Sequence, residues 1–218
     1  MQITKKDFDD TLNNRDILLP DYALQEKVLA DIFTKYPNNT TLAEVILKVN
    51  LLNAFYSTGI LDVVTVATHI TTNVNNVDAR IQSGDDTVVC DIANVFHESK
   101  NKDVNHFSFA TKYCSFHQPQ KFPIFDSFIA ECFSQLSKNN YFQKEFSKNT
   151  IRNDYSNFKK FYDEFMTNQP ALPKDYKEVD RYLWSSLKVQ TLNKKNKLQS
   201  SPQSNQVLNN AVNNTIKL

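Results

Sequence analysis

Two glycines in 218 residues, Gly59 and Gly84, are the tightest constraint on what this chain can become. Tight hairpins and phosphate-cradling loops both consume glycine, because the backbone must take positive φ or approach a ligand closely. A hairpin-built β fold, a P-loop and a dinucleotide fingerprint are therefore not expected. What remains is a set of helices joined by Asn, Asp and Pro turns. Sixteen phenylalanines supply a densely packed core, and the length is enough to bury one.

The formal net charge is +1, so no global basic field announces a nucleic-acid partner. Cys90, Cys114 and Cys132 are odd in number and widely spaced, with no CxxC among them. That is not a disulfide framework, and a reducing compartment is the default. The opening MQITKKDFDD lacks an apolar signal core, and no run approaches membrane-spanning length. The expectation is a cytoplasmic protein without a membrane partner.

Helical periodicity dominates the pattern. It predicts helices over 5–13, 21–35, 40–58, 62–72, 75–83, about 106–117, 127–138, about 150–167 and 175–188, with a further one capped by Asp85 or Asp86 and running through VVCDIANVF. In TTLAEVILKVNLLNAFYST the apolar residues cover much of the circumference, as in a helix at the centre of a domain. Beyond about Thr191 the chain turns to Asn, Gln, Ser and Lys, which cannot bury enough apolar surface to offset ordering entropy. The fold class read from this is all-α: a single compact multi-helix domain over about 1–190, with a flexible low-complexity polar tail over 191–218.

Within FSFATKYCSFHQPQKFPIFDSFI, residues 107–129, two charges stand among aromatics: Lys112 and Asp126. Lys112 falls roughly 60° from Phe109 on a helix, on the flank of the Phe109, Tyr113, Phe116 stripe. Such a lysine either lays its methylenes along the core edge or keeps a partly desolvated amine with a lowered pKa. Asp126 precedes SFIAECF, a position suited to a helix N-cap, where an anion can also stabilise a developing cation.

A helix with a lysine, a short proline-containing linker, an aspartate and a new helix resembles the core of the helix-hairpin-helix (HhH-GPD) DNA glycosylase superfamily, with this chain as a divergent member. The resemblance spans about residues 40–190, in the same chain order. LLNAFYSTGILDVVTVATHI (51–70) is similar to the early helix pair whose turn inserts side chains into the duplex, which places Phe55, Tyr56 and Ser57 at the intruding turn. VDRYLWSSLK (179–188) is similar to the closing helix. The resemblance implies that Lys112 attacks the sugar C1′ as a neutral amine and that Asp126 assists base departure and proton transfer. Residues 107–111 stand where the superfamily has its glycine-containing hairpin, and none of them is glycine. No cysteine follows Cys132, so the iron–sulfur cluster of some members has no ligands here, and no cofactor is implied.

Other patterns are weaker. Lys144, Lys148 and Arg152 recur every four residues, as a phosphate-contacting stripe or a solvated helix face. Cys114 and His117 share a face at i and i+3, but two residues are not a metal site. His69, His97 and His106 show no ligand spacing, and Tyr176, Tyr182 and Trp184 are packing anchors or base-stacking rings. The expected function is a DNA base-excision glycosylase/lyase acting on a damaged or modified base in double-stranded DNA. The alternative is a non-catalytic helical module, binding nucleic acid or protein, that keeps a glycosylase-like shape.

Overall fold

A computed structural model describes residues 2–98 and 101–194, with side chains as far as Lys188. Among the described residues it is mostly helical, as the scarcity of glycine predicts. In chain order run α1 (Lys5–Leu18), α2 (Pro20–Lys35), α3 (Leu42–Tyr56), α4 (Val63–Thr68), a π-helical turn (His69–Asn73), α5 (Val77–Ser83) and α6 (Thr87–Ala93). An antiparallel hairpin of β1 (Asn94–His97) and β2 (Lys102–Asn105) follows, then α7 (Phe107–His117), α8 (Ser127–Lys138), α9 (Lys148–Ile151), α10 (Tyr155–Thr167) and α11 (Tyr176–Lys194). Both glycines sit where positive φ is needed, Gly59 at +76° and Gly84 at +81°. Asn76, Asn101 and Asn140 take left-handed turns that other folds give to glycine.

The chain divides into two compact units. The terminal unit takes the described parts of Met1–Leu24, Ser127–Phe146 and Phe161–Leu218, and the central unit takes Gln25–Asp126 and Ser147–Lys160. In the terminal unit α1 and α8 pack on α11. Thr4 opens α1 with a capping box, its side chain accepting from Asp7 N while Asp7 accepts from Thr4 N. Phe133 of α8 forms the centre of its core, with the rings of Phe142, Phe146, Tyr162 and Phe165 at 5.3–5.7 Å.

In the central unit α3 packs on α4 and on α7, and α6 lies along α7. The face α3 buries is Val45, Lys48, Val49 and Leu52, an i, i+3, i+4, i+7 stripe with a lysine inside it. Asn53 fixes the α3–α4 turn: its Oδ1 accepts from Ile60 N (3.0 Å) and Thr58 Oγ1 (2.9 Å), and its Nδ2 donates to Ile60 O (2.9 Å). Asp62 then caps α4 by accepting from Thr65 N at 3.0 Å.

Four expectations are corrected. The helix after Asp86 ends at Ala93, because Asn94–His97 turn extended and pair with Lys102–Asn105, burying Val95 and His97 on one face. The expected helix over 62–72 is a short α4 that widens into the π-helical turn. The expected helix over 150–167 is two, because Asp154 starts α10 afresh by accepting from Asn157 N at 2.9 Å. Finally, α11 runs to Lys194, past the expected start of the tail, and the remainder of that tail lies outside the described residues.

Candidate functional site

Lys112 is buried, only 2% exposed, on a helix whose residues 109–115 are all buried. Its Nζ donates to Ser108 Oγ (2.7 Å), Ser108 O (3.3 Å) and Phe125 O (3.2 Å). The ammonium also lies 5.6 Å from the centre of the Tyr56 ring, within cation–π range. Phe125 is held from a second side, its N–H donating to Thr111 Oγ1 at 3.1 Å. Tyr155 OH donates to Pro123 O at 2.8 Å, so the stretch between α7 and α8 is tied at several points along its length.

Asp126 is half-buried and stands directly after Phe125, immediately before α8. Lys112 is thus bonded to the residue next to Asp126 in the chain. The sequence-predicted turn residues separate into different roles. Tyr56 packs its ring toward Lys112 and lies 6.0 Å from Phe116, while Phe55 is half-buried. Ser57 is exposed in a left-handed conformation, and Leu61, which the sequence reading did not single out, is 89% exposed at the tip of the same turn.

The basic stripe does not lie on one helix. Lys144 precedes α9 in a non-helical stretch, Lys148 begins α9, and Arg152 caps its end; all three are exposed. Lys159 is paired with Asp86 at 2.9 Å. Asn94–His97 and Lys102–Asn105 pair as antiparallel strands ahead of α7, and Phe107–Thr111 lie in the first turns of α7 itself. Cys114 is fully buried, with its thiol pushed far up by desolvation, and burial likewise raises Cys132 to about 12.

A second buried lysine escaped the sequence reading. Lys48 on α3 is fully buried, and its Nζ donates to Asn39 Oδ1 (2.7 Å), Asn38 O (2.8 Å) and Tyr36 O (3.1 Å). Asn39 Oδ1 also accepts from Tyr113 OH at 2.5 Å, and Asn39 donates from its backbone and side chain to Asp78 at 2.7–3.1 Å. His117 Nε2 lies 3.4 Å from the same ammonium. Burial lowers Lys48 to about 8, against the pull of Asp78 and Glu44, and burial with the Lys48 charge lowers His117 to about 3. An N–H on Nε2 would set a donor against this ammonium, so Nε2 faces it with its lone pair and the imidazole hydrogen is on Nδ1. The visible signal was a charge inside the Val45–Leu52 apolar stripe.

Comparison with known proteins brings one family and one relative. A family model, HI_0787_N, described as an N-terminal domain, matches residues 2–121, a span that holds Lys48, Lys112 and His117 and ends before Asp126. An uncharacterized protein of Haemophilus influenzae is 33% identical over 171 residues, covering 77% of this chain and 74% of that protein. No solved structure matches the chain.

Proposed function

This chain belongs to the HI_0787_N family, and within it we propose that the protein is a DNA base-excision glycosylase with lyase chemistry, acting on a damaged or modified base. One observation carries the reading. Three segments singled out by the glycosylase resemblance meet at a single ammonium: the end of α3 through Tyr56, α7 through Lys112, and the linker after α7 through Phe125, next to Asp126. Charged side chains with lysine-like hydration are rarely buried without cause, and a reacting amine held beside an aromatic ring is one such cause.

In this reading Lys112 first gives up a proton and leaves the Ser108 and Phe125 oxygens. Its lone pair then forms a bond to C1′ while the electron pair of the glycosidic bond departs with the base, which takes up a proton. After the nitrogen loses a second proton, its lone pair forms the C=N bond as the C1′–O4′ bond breaks, the ring oxygen takes up a proton and a protonated imine is left. Asp126 stabilises the cationic transition state and relays these protons. The test is borohydride trapping on duplexes carrying an abasic site or a panel of modified bases. Wild type should form a covalent adduct and Lys112→Gln none. Trapping that survives in Lys112→Gln excludes the role.

A second reading, a non-catalytic DNA-binding module, is favoured by the acceptors around Lys112. Two carbonyls and a hydroxyl stabilise the ammonium, the form that cannot attack, and the β-hairpin ahead of α7 lacks the superfamily's phosphate-holding loop. Duplex binding by wild type with no adduct on any substrate of the panel selects this second reading.

A further inference from the structure

A cavity of about 310 Å³ opens in the central unit beside the Lys48 network, and it does not depend on Lys112. Its walls include Phe33, Asp78, Gln82, Phe116, His117 and Gln118. Residues Lys112 and His117 are separated by about 140° around α7, so the cavity opens on a different face of that helix. The size lies at the small end of the range for small-molecule sites, about 300–1,000 Å³.

The charges around this cavity are already balanced. Each ammonium hydrogen of Lys48 has an oxygen acceptor, in Tyr36, Asn38 and Asn39, so this lysine has none to offer an anion. Asp78 takes three contacts from Asn39 and faces the Lys48 charge, so it does not stand as an uncompensated anion for a cation. A ligand of either sign would bring a charge that the walls do not match, at a desolvation cost.

What the walls do offer is an aromatic surface with neutral polar edges. Phe33 and Phe116 stand 5.4 Å apart, and the His117 ring meets Phe33 edge-on at 4.8 Å. The Nδ1 hydrogen of His117 finds no acceptor among the described residues. Gln118 Nε2 donates to Gln82 Oε1 at 3.4 Å, which leaves the Gln118 oxygen and the Gln82 amide hydrogens as an adjacent acceptor and donor. We infer that this cavity binds an uncharged planar heteroaromatic ring with donor and acceptor edges side by side, the chemistry shared by a nucleobase and by nicotinamide.

Calorimetric titration of the full chain tests this with adenosine, guanosine, cytidine, uridine and nicotinamide as separate probes, and with AMP and benzyl alcohol beside them. At least one nucleoside or nicotinamide should bind with a Kd of about 1 mM or tighter. Which of them binds separates the two sources of the ring. Gln118→Leu, at the rim, and His117→Phe should each weaken that binding at least tenfold. If His117→Phe loses the helical circular-dichroism signal, Gln118→Leu alone decides. AMP should bind no more than a few-fold differently from adenosine. Absence of binding for all five heteroaromatic probes, benzyl alcohol binding as tightly as they do, AMP binding tenfold tighter than adenosine, or unchanged binding in Gln118→Leu each overturns the inference. The glycosylase reading is untouched by failure here, since its own test is trapping at Lys112.

Discussion

The terminal unit closes around phenylalanine and the central unit closes around two lysines. Phe133 is surrounded by four other rings, with no charge in that cluster, and its energy is transfer and packing. Lys48 and Lys112 are buried in the other unit, and each is matched to oxygen acceptors one by one. Aromatic packing tolerates approximate geometry, whereas a buried ammonium is stabilised only while each of its partners stays in place. Stability is thus generic in one unit and specific in the other, and specific polar geometry is what ligand recognition and catalysis use.

The largest effect that sharpens this contrast is expected from Phe133→Ala. A fully buried phenylalanine replaced by alanine costs about 3–5 kcal/mol, more where the surroundings cannot collapse into the gap. Thermal or urea unfolding should show that loss. A change below about 1 kcal/mol means the ring cluster is loosely packed, and the contrast between the units fails.

The central unit answers to pH instead. Burial lowers Lys48 from its ordinary 10.5 to about 8, so between those values the unfolded chain holds a proton that the folded chain has released. Unfolding then takes up a proton, and the Lys48 contribution to stability rises as pH rises through that window. Lys48→Met removes this contribution. The stability of wild type relative to Lys48→Met should rise by about 2 kcal/mol from pH 7.5 to pH 10, since one pKa unit corresponds to about 1.4 kcal/mol. Denaturant titrations of both proteins at matched pH check the sign. A constant difference across the range shows that Lys48 is not desolvated in the folded state.

Local features of the sequence made the helices legible and left the polar network hidden. Glycine scarcity fixed the class, and the periodic runs placed α7 and α8 at the expected 106–117 and 127–138 within a residue. The β-hairpin was missed because Val95 and His97 read as helix until a partner strand is known, and that pairing is tertiary information. The break between α9 and α10 rests on one Asp154 cap inside an otherwise amphipathic run. Lys48 was visible as a charge in an apolar stripe, but its contacts reach 9 residues away to Asn39 and 69 to His117. Lys112 and the Phe125 carbonyl are 13 residues apart across a proline-containing linker, close enough in sequence for the pattern to suggest their proximity.

The smallest change in stability, and the most informative about DNA, is expected at Leu61. Its side chain is 89% exposed, so Leu61→Ser should alter folding stability by no more than about 0.5 kcal/mol. Asn53 holds the turn that presents it through three hydrogen bonds, so little ordering entropy remains to be lost when the turn meets a partner. An apolar side chain held in this way suits a wedge between base steps, where burying it is worth about 1.5–3 kcal/mol. If the α3–α4 turn enters the duplex, Leu61→Ser should weaken binding to a DNA containing an abasic site by about tenfold or more, as read by fluorescence anisotropy. Lys112→Gln should leave that affinity within a few-fold, because in the glycosylase reading the lysine acts after binding. Equal affinity of wild type and Leu61→Ser removes this turn from the interface, and with it one of the three segments on which the glycosylase reading rests.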